Sequence, residues 1–299
     1  MSAEPSPDAA PAARRDRPLA GIGLILLFSA LATGLDSIAK AFTQIYPPAE
    51  LVAIRYAVQT AALLALMPWL GWRRVAATGA PALQLVRGVT LAGSAATFVV
   101  GLGLLPFATN VVLAFASPAI VAALSAWLLG ERVGRVRWAA IAVGFAGVVI
   151  VVAPGAGAIA LDWPVAFPLV CALLYSVYQL LTRRIAEVDR TLPNLFWPCV
   201  VGCALTALVV PFFWTPPSPL HAAILAVHAL AVAACHVLLI RALALAPASL
   251  VAPFGYASLI WAILLGWLVF GERPTPATLG GGALIALSGI ALARSARGR

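Results

Sequence analysis

Apolar residues in this chain do not alternate with polar ones at a short period. They run unbroken for about twenty residues at a time, and Pro, Gly or a few charges then interrupt them. Runs of that length suit helices that cross a bilayer, whose hydrocarbon core needs about 20 residues of helix. The interruptions predict ten helices, over 19–43, 49–70, 81–104, 107–129, 136–153, 163–184, 193–214, 219–244, 247–270 and 275–294. Their connections, such as Tyr46-Pro47-Pro48, Gly71-Trp72-Arg73-Arg74, Pro154-Gly155 and Pro216-Pro217-Ser218-Pro219, leave no room for an extramembrane domain. Residues 1–18, rich in Pro, Ala and charge, read as a disordered cytoplasmic tail rather than a signal peptide.

The pattern also repeats. Laid over itself at an offset of 141 residues, Leu104–Val152 matches Leu245–Leu292, pairing Pro106 with Pro247, Ala116-Ser117 with Ala257-Ser258, and Gly130-Glu131-Arg132 with Gly271-Glu272-Arg273. The first 29 aligned positions hold 8 identities, against roughly two or three by chance in so Ala- and Leu-rich a chain, so the period needs a structural cause. Each copy is a Pro-led apolar run, a Gly-Glu-Arg hinge and a second apolar run. The chain therefore divides into a tail (1–18), a first five-helix repeat (19–154), a second (155–295) and a short end (296–299).

Composition strengthens the membrane reading. The chain is 63% hydrophobic and only 10% charged, with mean hydropathy +1.02, where a soluble domain carries about 25% charged residues. A net charge of +9 is not a nucleic-acid footprint, because the basic residues fall singly or in pairs between apolar runs. Counted by alternate connections, sixteen of the 19 Lys and Arg fall toward one side, Arg273 alone falls on the other, and Lys40 and Arg55 are left unassigned within spans. Since positive charge stays inside, both termini are expected in the cytoplasm of an inner-membrane, multi-pass protein. Five spans separate equivalent helices, so the second repeat runs through the bilayer the opposite way. Inverted repeats with a site near the midplane are the architecture of secondary transporters.

With ten short helices, two five-helix halves and Gly-Glu-Arg after the fourth and ninth, residues 19–294 resemble the EamA-type branch of the drug/metabolite transporter superfamily, with bacterial amino-acid and metabolite exporters the nearest likeness. The resemblance implies an all-α fold: a basket of ten transmembrane helices in two inverted repeats around a central cavity, with the fifth and tenth helices at the periphery. It implies export of small amphipathic metabolites, amino acids with large apolar or aromatic side chains foremost, by alternating access. A multidrug or nucleoside carrier on the same scaffold is the alternative. The expected partners are a small-molecule substrate and the lipid bilayer, with no nucleic acid.

Candidate chemistry is sparse. Ionisable groups inside a span are costly and so point to function. Asp36 and Lys40, four apart on one face of the first helix, form either a structural ion pair or the rim of a polar path where Asp36 takes up a proton or Lys40 meets a substrate carboxylate. His221, His228 and His236 share the eighth helix; His228, at mid-depth, is a candidate for substrate or proton, or a satisfied core histidine. Tyr175 and Tyr178 share a face of the sixth helix, and Ser258 and Trp261 one of the ninth; these, with Asn110 and Phe98, are the expected cavity lining. Ser94, Thr97 and Ser117 serve either a ligand or helix contacts. Pro118, Pro168, Pro198 and Pro253 break backbone ladders at depth, as protein-facing or cavity-facing segments allow. Gly280-Gly281-Gly282 and Gly289 give the tenth helix a close-packing face, within the fold or between protomers. Cys171, Cys199, Cys203 and Cys235 read as buried free thiols. No spacing suits a metal or cofactor, and no paired acid, HExxH or nucleophile set suggests an intramembrane enzyme.

Overall fold

A computed structural model describes residues 17–128, 134–152, 163–185, 188–189, 191–246 and 253–295. Every regular element among them is helical: α1 (Pro18–Phe42), α2 (Pro48–Leu70), α3 (Trp72–Ala76), α4 (Pro81–Leu104), α5 (Phe107–Ala114), α6 (Ser117–Leu128), α7 (Arg135–Val152), α8 (Ala166–Ile185), α9 (Thr191–Val209), α10 (Pro219–Leu245), α11 (Ala257–Phe270) and α12 (Pro276–Ser295), with 3₁₀ turns at Trp163–Val165 and Val210–Phe212. Among the described residues, nine segments are long and apolar enough to cross a membrane, and Trp138–Val152 is a shorter apolar helix. Ten crossings result. The first hinge, Gly130-Glu131-Arg132, the tail up to residue 16, Pro154-Gly155 and Pro247 lie outside the described residues.

Proline opens α1, α2, α4 and α10, where its missing N–H costs nothing and its fixed φ suits the first turn. Ser218 caps α10 by accepting from the His221 N–H at 3.3 Å. Within the spans, hydroxyls donate back to carbonyls of their own helix: Ser29, Thr33 and Ser37 in α1, and Thr90, Ser94 and Thr97 in α4. Hydrocarbon supplies no other partner, so the helix satisfies its own polar groups.

Two expectations change. The fourth crossing is two helices, broken at Phe115 and Ala116, because Pro118 has no N–H to continue the ladder. The ninth crossing turns at Tyr256 before α11 begins. Phe115 and Tyr256 are 141 residues apart, the repeat offset, and their rings meet at 5.5 Å. Although Pro118 and Pro253 are not aligned, the breaks they flank are.

Packing obeys the same two-fold relation. α4 lies on α8 and α9, and its counterpart α10 lies on α1 and α2; α2 pairs with α9, and α7 with α12. The strongest contacts thus join the halves rather than build each one. Small residues allow them: a Cβ on Gly281 of α12 would come within 2.5 Å of the Gly147 carbonyl of α7. One apolar cluster, including Leu102, Phe107, Val112, Ala172, Leu259 and Ile285, fills the space around the two breaks. A second, including Phe42, Tyr46, Val52, Tyr56 and Leu225, joins α1, α2, α4 and α10.

Candidate functional site

Polar side chains gather at three depths. The face where α1 begins and α12 ends is the terminal face, and the opposite one the far face.

At the far face, the Lys40 ammonium is buried, at 6% exposure. It donates to the carbonyls of Leu102 at 3.1 Å and Leu105 at 2.8 Å, and pairs with Glu272 Oε1 at 3.0 Å. Glu272 Oε2 accepts the Phe107 N–H at 2.6 Å, capping α5 of the other half where the helix dipole favours an anion. Gly271 ends α11 with φ 67°, the left-handed value that lets the chain turn and aim Glu272 back. This replaces the Asp36–Lys40 pair suggested by spacing. Two carbonyls and a carboxylate satisfy the ammonium better than one acid on its own helix. A cleft of about 450 Å³ lies alongside, lined by Lys40, Gln44, Pro106 and Glu272. Also at this face, wholly buried Glu50 of α2 accepts the Thr215 N–H at 2.9 Å, and His221 Nδ1 hydrogen-bonds Tyr46 Oη at 2.8 Å.

At the terminal face, Arg87 is 2% exposed. It donates to Thr182 Oγ1 at 2.7 Å, Gln84 Oε1 at 2.9 Å, the Asn194 carbonyl at 2.8 Å and Tyr178 Oη at 3.1 Å. Its guanidinium sits 4.9 Å from the centre of the Tyr178 ring. Gln84 passes the contact on, donating to Asn194 Oδ1 and Asp189 Oδ2, each at 2.8 Å. Asp189 also accepts from the Thr78 hydroxyl and, at 2.8 Å, the Gly79 N–H. Burial pushes the Asp189 carboxyl up, but bonds from Thr78, Gly79 and Gln84 and the Arg87 charge outweigh it and hold it below the usual range. Arg87, Gln84, Thr78 and Gly79 belong to the first half; Tyr178, Thr182, Asp189 and Asn194 belong to the second.

Between these faces lie Asp36, Arg55 and His228. His228 donates from Nε2 to the Leu35 carbonyl at 3.0 Å, tying α10 to α1. Gln59 of α2 donates to the Ala229 carbonyl at 3.0 Å. Tyr175 and Tyr178 stack with centroids 5.8 Å apart. Tyr175 keeps 41% of its surface free. Asp36 is half-buried.

The other expected lining residues sit apart. Asn110 is fully buried and donates to the Phe98 carbonyl at 3.3 Å, joining α5 to α4. Ser258 is buried in α11, and Trp261, at 38% exposure, has no ring or hydrogen-bond partner among the described residues. An apolar cleft of about 500 Å³ between α11 and α12 contains neither. Sequence reasoning missed Arg87, Gln84, Asn194, Asp189 and Glu50. Arg87 offered a signal: it is the seventh residue of α4, deeper than a connection charge belongs.

Comparison with known proteins agrees with this architecture. Residues 19–153 and 162–295 each match the model of the EamA-like transporter family. The chain is 24% identical to the S-adenosylmethionine uptake transporter of Rickettsia conorii, covering 89% of this chain and 90% of that protein. It is 30% identical to the riboflavin transporter of Rhizobium johnstonii over 72% and 71% of the two, and 28% identical to the pseudopaline exporter of Pseudomonas aeruginosa over 93% and 97%. A crystal structure of a protein 27% identical superposes with a TM-score of 0.62 over 94% of this chain and 97% of the other.

Proposed function

The chain belongs to the EamA-like transporter family, and from that premise we propose that it exports small amphipathic metabolites across the inner membrane by alternating access, amino acids with large apolar or aromatic side chains foremost. It is a transporter and not an enzyme. One observation carries the proposed mechanism: each face has its own set of buried polar bonds joining the first half to the second, Lys40 with Glu272 at one and Arg87–Gln84 with Asp189 and Asn194 at the other. In this reading the two sets are gates that open in turn, and the cargo waits between them beside Tyr175, Tyr178 and His228.

Positive charge at the terminal face supports cytoplasmic termini. The test is counterflow in liposomes holding the purified chain alone. Labelled L-phenylalanine, L-tryptophan and L-leucine are compared with L-serine, riboflavin and S-adenosylmethionine, the last two because relatives are named for them. Faster exchange of the large apolar amino acids is expected. Exchange of riboflavin or S-adenosylmethionine alone would replace the amino-acid assignment with another metabolite.

A further inference from the structure

The buried and half-buried ions of the spans divide into two classes. Lys40 has a carboxylate and two carbonyls, Arg87 has four acceptors, and Glu50 and Glu272 each hold a backbone N–H, although Glu50 Oε1 is buried without a partner. Asp36 and Arg55 have neither hydrogen bond nor ion pair among the described residues. Arg55 has only the neighbouring Tyr56 ring, 5.8 Å from its guanidinium carbon, and its Nε is buried without a partner. Two more buried polar atoms on the same stretch of α2, Tyr56 Oη and Thr60 Oγ1, also lack partners. Unpaired charge and unmet hydrogen-bonding capacity at this depth are costly, and natural proteins keep them where a ligand completes the set.

The two ions also share one space. His228 and Ala229, successive residues of α10, bond to Leu35, the neighbour of Asp36, and to Gln59, one turn along α2 from Arg55. Three helices from both halves, α1, α2 and α10, therefore meet beside the pair. The bond from His228 to the Leu35 carbonyl fixes α10 beside Asp36. Tyr175 of α8, from the second half, keeps 41% of its surface free.

We propose that Asp36 and Arg55 form a zwitterion-binding subsite, in which the Arg55 guanidinium holds the carboxylate of a ligand and the Asp36 carboxylate holds the ammonium of the same ligand. A ligand with one charge leaves the other ion unpaired, whereas an α-amino acid satisfies both and turns its side chain toward Tyr175. A guanidinium meets a carboxylate through two parallel N–H donors, which a point charge does not reproduce. The inference rests on the reading of this chain as a carrier, and it adds which chemical group of the cargo is recognised and by what.

The test measures binding to the purified, full-length protein of L-phenylalanine, its methyl ester, which lacks the carboxylate, and 3-phenylpropionate, which lacks the ammonium. Wild type should prefer L-phenylalanine over either analogue by on the order of tenfold or more, as for hydrogen bonds to charged groups. Arg55→Gln should lose that factor for L-phenylalanine while leaving the ester unchanged; Asp36→Asn should lose it while leaving 3-phenylpropionate unchanged. Where a neutral variant fails to reach the membrane, Arg55→Lys and Asp36→Glu carry the comparison, each narrowing the preference for the zwitterion without abolishing it. Equal losses for all three ligands, or no preference in wild type, would overturn the subsite. A protein that moves riboflavin in liposomes but binds none of the three overturns the subsite and leaves the carrier standing; one that moves nothing overturns both.

Discussion

At the scale of single residues, a charge was legible where its partner was not. Lys40 stood out as an ion within a span, but spacing reveals only neighbours on the same helix, and Glu272 lies across the repeat boundary. The bonds predict what a charge exchange does. Lys40→Glu with Glu272→Lys should remain about as destabilised as either single change, because the Leu102 and Leu105 carbonyls need a cation and the Phe107 N–H needs an acceptor. Breaking such a pair costs about 3–5 kcal/mol when one partner is left buried. Melting curves of the detergent-purified proteins decide it, and full recovery in the double variant would reduce the site to a simple ion pair. Asp189 gives a pH effect of definite sign. Its carboxyl is held below the usual range in the folded protein, so its stabilisation is complete above the ordinary carboxylate range and lost as pH falls through the folded value. Asp189→Asn should flatten the fall in melting temperature between pH 6 and pH 3, roughly the interval in which carboxylates titrate. An unchanged slope would show that the contact contributes nothing to acid stability.

Among elements, the apolar runs placed most described helices to within a few residues; α9 ends at Val209, short of the expected 214, and the expected start of the ninth helix at 247 lies outside the described residues. The break after Ala114 is local chemistry at Pro118. The short α3 lies in a stretch that reads as a charged connection, since its five residues offer no periodicity. The glycines of the tenth helix announced a close approach, but only coordinates separate a contact within the fold from one between protomers. Gly281 meets Gly147 and Val151 of α7, and nothing lies within 4 Å of a Cβ on Gly280. Gly281→Ala should therefore destabilise by about 1–3 kcal/mol, the usual range for overpacking, while Gly280→Ala stays near neutral because Ala is the better helix former. Thermal stability of the two proteins side by side checks the claim; equal behaviour would mean that α7 and α12 slide apart at little cost.

For the whole molecule, inversion was legible because it needs only a count of spans and a repeat offset. The polar middle was not, since Arg55, Asp36 and His228 come together from three helices of two halves and no spacing relates them. Inversion requires that what closes one face have a counterpart at the other, and the two sets of bonds between halves fulfil this. The rocking mechanism can be tested by tying each face shut in a protein freed of Cys171, Cys199, Cys203 and Cys235. At the far face, a Cβ on Gly266 would lie 3.8 Å from the Phe107 Cβ, within the span of a disulfide. At the terminal face, a Cβ on Gly79 would lie 3.0 Å from Val188 Cγ1, close enough for the sulfur that replaces it. Oxidised Gly266→Cys/Phe107→Cys and Gly79→Cys/Val188→Cys proteins should each lose at least about nine-tenths of counterflow and regain it on reduction, because disulfide opening is the only step that releases the halves. Reduced controls should match the cysteine-free parent. Full transport in both oxidised proteins would mean that the halves do not separate at these faces, and the path would then have to run through a rigid basket.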